Sequence, residues 1–249
     1  MGAAGEEVTG PTGAAAIWVK TPGLSPVKTR LAASIGVAAA EHFHLLSALA
    51  VAAVVRRVAA ERPGAVAPYW AVAERGSGGW RGLAVVEQGE GGLGVRLSRV
   101  YDALLARHDF VVFLGADSPQ LTPALLADAA GRAGRGGFVL GPAEDGGFYL
   151  FAGARHLPSE VWTSVNYSEA GTLAGLESGL APYGPTERIT TLFDVDTPDD
   201  LARMRDTLES AGSLLPEQEE LRAWLNGLPP TSPPVPSLPL PPAPHRGSR

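Results

Sequence analysis

Short apolar runs alternate with longer stretches of helical periodicity along most of the chain. The clearest run, residues 110–114, predicts a buried parallel strand. Thr122 and Pro123 follow it and predict a helix start, with threonine as the N-cap and proline at the first helical position. Similar apolar runs predict six more strands, at residues 14–19, 69–73, 83–86, 138–140, 148–151 and 189–195.

Helical periodicity fills most of the sequence between these strands. The pattern predicts a helix from Leu31 that Gly36 can break, and a long helix at 38–60 whose apolar residues recur at helical spacing. Further helices are predicted at 93–106, after Thr122, at 166–180 and from Thr197-Pro198 onward. Strands that alternate with helices indicate an α/β fold, with a mostly parallel sheet and helices on both of its faces.

Composition narrows the function classes. With 249 residues, 45% of them hydrophobic, the chain can bury a sizeable core. The net charge is −6 and no block of Lys and Arg occurs, so we expect no nucleic-acid partner. Cysteine is absent, which excludes disulfides, thiol catalysis and Cys-ligated zinc. Any metal must therefore be bound by oxygen or histidine.

The termini and the apolar segments bear on organisation. The longest apolar run, residues 45–55, is too short to cross a bilayer and predicts a core helix, so we expect no membrane insertion. Glu6 and Glu7 stand where a signal peptide needs positive charge, which predicts a cytoplasmic protein. We expect a disordered leader at 1–13, one domain at 14–226 and a disordered proline-rich tail at 227–249. The tail is either passive or a ligand for a partner protein.

Two common nucleotide-binding motifs are missing. Neither GxGxxG nor GxxxxGK[ST] follows the first predicted strand. The sequence therefore disfavours a Rossmann dehydrogenase and a P-loop NTPase. The loop that does follow the strand is rich in proline and carries Lys20, Lys28 and Arg30. Lys28 and Arg30 stand just before a predicted helix, where a polyphosphate would meet two cations and backbone N–H groups. The alternative is a solvated basic loop.

Carboxylates follow two of the predicted strands. Asp117 stands just past the strand at 110–114, at the sheet edge where α/β proteins bind ligands. A hard cation such as Mg²⁺ or Mn²⁺ prefers such oxygens, and Thr122 already takes the alternative role of helix cap. Asp196, and then Asp194, are candidates for further metal ligands, because residues two apart on a strand share a face.

A second acidic segment, Glu144-Asp145-Gly146-Gly147, lies between two predicted strands. Its glycines permit a close backbone approach to a ligand, and Asp145 is a candidate general base. A plain hairpin turn explains the same residues without a function. The histidines show no metal spacing and are interpreted as structural or surface residues. Trp162 falls where a substrate loop could lie, although such an aromatic residue is as often part of the core.

Five blocks, in order, resemble a known family. They are Lys20-Thr-Pro22 with residues 27–31, Gln88-Gly89 with Leu93-Gly94 and Arg96, residues 114–119, residues 141–149, and residues 194–201. These blocks resemble the GT-A-superfamily transferases called radical-SAM/selenodomain-associated transferase 1, described as glycosyltransferases of unknown specificity. That family is similar to small nucleotidyltransferases such as the phospholactate guanylyltransferases. Ser25, Gly92 and the segment 164–169 depart from the family pattern.

The resemblance implies a three-layer, Rossmann-like GT-A sandwich that binds a nucleotide or nucleotide-sugar donor and a small acceptor. It implies that Asp117 holds the metal, that Lys28 and Arg30 lie near the phosphates, and that Asp145 and Asp196 border the second substrate. Together with the residue pattern it gives a predicted metal site of Asp117, Asp196 and Asp194, and predicted catalytic roles for Asp145, Lys28 and Arg30. The residues it implies for nucleotide or substrate binding are Lys20, Pro22, Lys28, Arg30, Gly94, Arg96, Gly115, Ser118, Gly146, Gly147 and Trp162. Sugar transfer from a nucleoside-diphosphate sugar is the leading expectation. The alternatives are nucleotidyl transfer from an NTP to a phosphorylated or phosphonate metabolite, and a non-catalytic nucleotide sensor.

Overall fold

The computed structural model of the protein describes residues 12–62, 65–76, 79–167 and 169–228. The predicted leader, apart from Thr12 and Gly13, and the predicted proline-rich tail beyond Leu228 lie outside the described residues.

A seven-stranded sheet runs through the protein. Its strands are β1 Gly13–Val19, β2 Val66–Val72, β3 Ala84–Glu87, β4 Phe110–Gly115, β5 Phe138–Pro142, β6 Phe148–Gly153 and β7 Thr186–Arg188. They lie in the order β3-β2-β1-β4-β6-β5-β7. β6 is antiparallel to β4 and β5, and the other pairs are parallel. The predicted mostly parallel α/β sheet is thus confirmed.

Eight α-helices connect and cover these strands in the described part of the chain. Gly36 has a φ of 87° and separates the first two helices, as its position in the sequence predicted. The helices are α1 Thr29–Ile35, α2 Val37–Glu61, α3 Leu93–Leu105, α4 Pro123–Ala133, α5 Ser159–Thr163, α6 Thr172–Leu180, α7 Pro198–Ser210 and α8 Pro216–Gly227.

The central strands are buried on both faces, which makes the fold a three-layer sandwich. Ala15, Ile17 and Val19 of β1 pack into one core with α2 and α4. Ala14 and Ala16 face the opposite core, which α3, α5 and α6 cover. Such apolar runs without polar alternation are what a doubly covered parallel sheet requires. A third core forms between α1, α2, α7 and α8.

The predicted strand at 189–195 is wrong. The last strand, β7, covers only Thr186–Arg188. Its partner β5 ends at a bulge beside Pro142, and a proline has no N–H to continue the ladder. Beyond it the chain keeps an isolated bridge at Leu192, and Phe193 and Val195 turn into the third core. The premise that Asp194 and Asp196 share a strand face therefore fails.

Two other elements differ from the pattern. The predicted helix at 166–180 begins only at Thr172, whose hydroxyl lies 2.8 Å from the carbonyl oxygens of both Asn166 and Glu169 and holds that segment in a turn. α8 was not predicted. Gln218 fixes its first turn, because its side-chain amide donates to the carbonyl groups of Pro119 and Leu121.

α2 is the one helix of the described residues that is long and apolar enough to cross a membrane by length and composition. Of its most apolar 18-residue window, 67% is buried inside the protein, against β1, β2 and α4. The expectation of a core helix in this region is confirmed.

Candidate functional site

The loop after β1 brings Lys28 to the carboxyl edge of the sheet. Lys28 precedes α1 with φ 46° and ψ 47°, and no other non-glycine residue of the described ranges has a positive φ. This left-handed backbone costs roughly 1 kcal/mol in a residue with a Cβ. It directs the lysine side chain inward, where only 5% of that side chain is exposed.

The ammonium of Lys28 bridges two carboxylates that come from distant parts of the chain. Its Nζ lies 3.1 Å from Oδ2 of Asp117, just past β4, and 3.1 Å from Oδ1 of Asp196, just before α7. Arg30 adds a longer contact, with Nη1 3.4 Å from Oδ2 of Asp196, and 80% of its side chain is exposed. The structure thus brings together the predicted phosphate-binding cations and two of the predicted metal ligands.

The ion pairs of this bridge shift the pKa values of Lys28 and Asp117. Burial alone would lower the pKa of Lys28, but the charges of Asp117 and Asp196 outweigh burial and raise that pKa above its ordinary value. Burial would likewise raise the pKa of Asp117, but Lys28 and His44 hold it well below its usual range. Lys28 and Asp117 are therefore both charged at neutral pH.

Asp196 is positioned by the start of α7. Thr197 caps this helix, and Asp200 completes a capping box by accepting hydrogen bonds from the backbone N–H and the hydroxyl of Thr197. The Asp200 carboxylate also accepts from the backbone N–H of Asp196 at 3.1 Å. The capping residues predicted here therefore also fix the backbone that presents Asp196.

A cavity of about 780 Å³ opens beside the bridge. We call it the basic cavity, because most of its ionisable lining residues are bases. Its Lys, Arg, His and Asp residues are Lys20, Lys28, Arg30, His44, Arg96, Asp117 and Asp196. Its size suits a nucleotide, and its cations suit phosphate oxygens.

Arg96 of α3 is held in this cavity by Gln88. The side-chain amide of Gln88 donates to the carbonyl oxygen of Ala71 at 2.9 Å, and its own oxygen accepts from Nη1 of Arg96 at 2.9 Å. Nε of Arg96 is buried without a hydrogen-bond partner among the described residues. Arg96 is therefore oriented by the sheet and retains an unused donor.

A second cavity, of about 290 Å³, lies next to the first. We call it the acidic cavity, since its ionisable lining includes four carboxylates and no Lys, Arg or His among the described residues. The carboxylates are Asp117, Asp145, Glu169 and Asp194. Aromatic side chains, including Trp18, Phe148 and Tyr167, form much of the remaining wall.

Asp145 and Asp194 both line the acidic cavity, and their carboxylates repel each other. Asp145 sits in the β5–β6 turn and accepts a hydrogen bond from the backbone N–H of Gly147 at 2.8 Å. Burial raises the pKa of Asp194, and the charges of Asp145 and Asp196 raise it further. A carboxylate with a raised pKa among other carboxylates is suited to accepting a proton.

Asp117 lines both cavities, together with Trp18, Leu93, Gly115 and Tyr167. Its side chain is 41% exposed, while its buried Oδ1 has no hydrogen-bond partner and lies 3.8 Å from Nδ1 of His44. The two cavities thus meet at the end of β4, where a group bound in one can reach a group bound in the other.

The carboxylates of Asp117 and Asp196 suit a divalent metal ion whose remaining ligands come from substrate phosphates. Among the residues that the structure describes, no cluster of three or more His, Cys, Asp or Glu side chains could hold a metal ion unaided. Mg²⁺ commonly binds through one or two carboxylates plus substrate phosphates. The unpartnered Oδ1 of Asp117 and the partly exposed Asp196 supply such a pair at the basic cavity.

Four of the residues implied for substrate binding lie outside both cavities. Trp162 is fully buried in the core beneath α3, and a Cβ on Gly94 would lie 2.4 Å from the Trp162 carbonyl oxygen. Gly146 has a φ of 90° and packs against the backbone of Ala170, and Pro22 lines neither cavity. Gly94 and Gly146 permit close backbone packing. Gly115, Ser118 and Gly147 do line the acidic cavity.

Sequence reasoning missed several lining residues. His44, interpreted as structural or surface, is buried, and its Nε2 lies 3.0 Å from the carbonyl oxygen of Lys20. Gln88 belongs to one of the blocks that resemble the family, but the sequence gave it no role in the site. Glu169 was not predicted as a site residue. A polar residue on the apolar face of α2 was the one available signal for His44; the other two needed coordinates.

Comparison with known proteins assigns a family. The sequence profile of the family described as "Uncharacterized protein conserved in bacteria (DUF2064)" matches residues 45–169, from α2 to the turn before α6. None of the curated proteins matches the sequence significantly.

Solved structures show the same fold. A protein of Desulfovibrio desulfuricans G20, provisionally described as a nucleotide-diphospho-sugar transferase, superposes with a TM-score of 0.70 at 22% identity, over 86% of this chain and 96% of that one. A nucleotidyl transferase of Methanothermobacter thermautotrophicus gives a TM-score of 0.53 at 17% identity, over 81% and 100%. The chain therefore shares the α/β fold of these two structures, which confirms the predicted fold class.

A more distant structure contains ligands. Glucosyl-3-phosphoglycerate synthase of Mycobacterium tuberculosis, in complex with Mn²⁺, uridine diphosphate and glucosyl-3-phosphoglycerate, gives a TM-score of 0.44 at 13% identity, over 78% of this chain and 76% of that one. This similarity is too low to transfer any property of that enzyme to the present chain.

Proposed function

The chain belongs to the DUF2064 family of bacterial proteins, and for this member we propose a nucleotide-utilising transferase activity, most specifically glycosyl transfer from a nucleoside-diphosphate sugar to a small acceptor. The observation that carries the proposal is the pair of cavities that meet at Asp117, one basic and one acidic. A donor with phosphates suits the first cavity, and an acceptor that must lose a proton suits the second. The finer assignment to the radical-SAM/selenodomain-associated type, and a cytoplasmic location, belong to the same proposal.

In this proposal the donor phosphates bind in the basic cavity. Lys28, Arg30 and Arg96 line it, and their charges would offset the negative charge that develops on a departing diphosphate. The Lys28 ammonium is fixed in advance by Asp117 and Asp196, so little reorganisation is needed when charge develops. Asp117 and Asp196 would hold Mg²⁺ or Mn²⁺, which supplies further charge neutralisation when bound.

The acceptor lies in the acidic cavity. Its hydroxyl or amine attacks the anomeric carbon, the bond from that carbon to the diphosphate oxygen breaks, and the nucleoside diphosphate leaves with the bonding electron pair. The acceptor proton passes to Asp145, which the sequence suggested as the base, or to Asp194 beside it, whose raised pKa favours proton uptake. Asp194, predicted as a third metal ligand, lines this cavity beside Asp145, and we assign it to the acceptor side.

Nucleotidyl transfer is the second candidate. The observation in its favour is the Lys28–Arg30 pair beside two carboxylates, which suits a triphosphate. An acceptor oxygen would then attack the α-phosphorus and pyrophosphate would leave. The nucleotidyl transferase with the same fold is consistent with this chemistry.

Product analysis tests the proposal and separates the two reactions. The protein is incubated with Mg²⁺ or Mn²⁺, each common nucleoside-diphosphate sugar or NTP, and a pool of small acceptors. We expect release of a nucleoside diphosphate, abolished in Asp117→Asn and retained in Asp128→Asn, a carboxylate of α4 that pairs with Arg132 outside both cavities. Pyrophosphate release would establish the second candidate instead. Binding of a nucleotide with no turnover of any donor would favour the non-catalytic sensor.

A further inference from the structure

The acidic cavity also restricts the chemical class of the acceptor. We infer that the acceptor is a small hydroxyl- or amine-bearing molecule with an apolar body and a neutral or positive charge, and that phosphorylated and carboxylated acceptors are excluded. This inference rests on the proposed function, because it assumes that the acidic cavity is the acceptor side of a transferase.

Charge is the first argument. Four carboxylates line the cavity, and no cation of the described residues does. Lys28 lines the other cavity, and its ammonium is shared between Asp117 and Asp196. An anionic acceptor would therefore meet four like charges, of which only that of Asp117 is paired directly with Lys28, and such like-charge contact weakens binding. The same carboxylates would attract a protonated amine.

The wall of the cavity is the second argument. Trp18 and Tyr167 stand on the side shared with the basic cavity, and Phe148 and Tyr149 add to the aromatic lining. Aromatic walls bind apolar bodies through dispersion and burial, and they attract cations through the ring face. A volume of about 290 Å³ accommodates on the order of ten water-sized units.

Ser118 is the third argument, and it is independent of charge. It is only 3% exposed and lines the acidic cavity. Its hydroxyl makes no hydrogen bond to any other described residue, whereas the buried hydroxyl of Thr172 in the same wall is fully engaged. The Ser118 oxygen is not itself closed off from solvent, so a molecule in the cavity can reach it. Ser118 is therefore available to a hydroxyl or amine of the acceptor.

A matched set of probes tests the inference. Tyrosol, tyramine and 4-hydroxyphenylacetate share a phenol ring and differ in the charge of one end, which is neutral, positive and negative respectively. Their binding is measured by titration calorimetry in the presence of saturating nucleoside diphosphate and Mg²⁺. We expect tyrosol and tyramine to bind at least about tenfold more tightly than the carboxylate. Equal or tighter binding of 4-hydroxyphenylacetate, or no binding of any probe, would overturn the inference.

A charge reversal at the cavity rim sharpens the test. Glu169 is exposed, so Glu169→Lys places a cation at the cavity without disturbing the core. This variant should weaken tyramine binding and strengthen carboxylate binding, each by several-fold. Glu160→Lys on α5, exposed and outside both cavities, is the control and should preserve the probe order. Unchanged affinities for both tyramine and the carboxylate in Glu169→Lys would contradict the inference.

A titration of the wild-type protein with nucleotides distinguishes failure of the proposed function from failure of the acceptor inference. If no nucleotide binds, the proposed function fails. If nucleotides bind in the basic cavity but the probe order favours the anion, the acceptor inference alone fails and the nucleotidyl alternative with a phosphorylated acceptor gains support.

Discussion

Lys28 donates a hydrogen bond at 3.1 Å to Asp196, a residue 168 positions later in the chain. This contact joins the loop after the first strand to the cap of α7, and its extension to Asp117 joins both to the end of β4. The left-handed backbone of Lys28 and the capping box that positions Asp196 are local features that serve this one contact. The site is therefore assembled by the topology of the sheet.

Removal of the Lys28 ammonium should destabilise the protein. In Lys28→Met the carboxylates of Asp117 and Asp196 lose the cation between them, and we expect the free energy of unfolding to fall by about 1–3 kcal/mol, less than for a fully buried pair because both carboxylates are partly exposed. Urea unfolding measures the change. Arg30→Met is the matched control and should be close to neutral, since the Arg30 pair is exposed. Equal stabilities of the two variants would show that the bridge contributes little.

The Lys28–Asp117 pair should also give the stability a defined pH dependence. The folded-state pKa of Asp117 is depressed, so its contribution is present above the ordinary value of 3.8 and is lost as the pH falls toward the folded value. The pKa of Lys28 is raised, so its contribution is present below 10.5 and is lost only as the pH rises through the higher folded value. The stability difference between wild type and Asp117→Asn should be constant from about pH 5 to about pH 9 and shrink in acid. A difference that grows in acid would contradict this linkage.

Substitution of Asp194 should increase stability and decrease activity. Its pKa is raised by burial, Asp145 and Asp196, so the ionised form is unfavourable in the folded protein above that pKa. Asp194→Asn should therefore raise the melting temperature near neutral pH, by about 1–4 °C, and lower the transfer rate. Thermal unfolding and product formation are measured on the same samples. The exposed Asp206→Asn should change neither. A lower melting temperature in Asp194→Asn would refute the electrostatic argument.

Gly94 should prove to be a packing residue. A Cβ there would lie 2.4 Å from the backbone oxygen of Trp162, which cannot move aside without shifting α5, and we expect Gly94→Ala to cost about 1–3 kcal/mol. Gly92→Ala is the control, because nothing lies within 4 Å of its Cβ position and its φ is −64°. Unfolding free energies give the comparison. A Gly94→Ala variant with normal stability and lost nucleotide binding would instead support the binding role that the resemblance implied.

Gln88 should act through Arg96. In Gln88→Met the Arg96 guanidinium loses its 2.9 Å contact, and we expect the nucleotide Kd to rise about tenfold. Arg96→Met should have a similar effect, and the double variant should be scarcely worse than either, which calorimetry of the full mutant cycle would reveal. Arg99→Met is a control, since Arg99 also contacts Gln88 but lines neither cavity. Fully additive effects would show that the two residues act independently.

Much of the fold could be predicted from the sequence, because buried strands and helix faces produce recognisable apolar patterns in the local sequence. The continuous apolar runs gave the sheet strands through β6, and Thr122 and Thr197 gave helix starts that the structure confirms by side-chain capping. The last strand was predicted wrongly because residues 189–195 are apolar for another reason. Phe193 and Val195 pack against α7 and α8 in the third core, and a sequence pattern does not show which partner buries a residue.

The site was harder to predict than the fold. Lys28, Asp117 and Asp196 could be identified since each stands at the end of a predicted strand or the start of a helix, and carboxyl ends of parallel strands converge. Asp194 and Asp196 lie two residues apart, yet they line different cavities, because the backbone there is not a regular strand. Among the residues that the structure describes, the lack of Lys, Arg and His around the acidic cavity depends on the folded arrangement and has no signature in the sequence.

The most direct test of the central claim is a crystal structure of the protein with Mn²⁺ and the nucleoside diphosphate that binds most tightly. The account predicts phosphate density in the basic cavity within contact of Lys28, with an anomalous manganese peak beside Asp117 and Asp196. A nucleotide bound elsewhere, or phosphates in the acidic cavity beside Asp145 and Asp194, would contradict it.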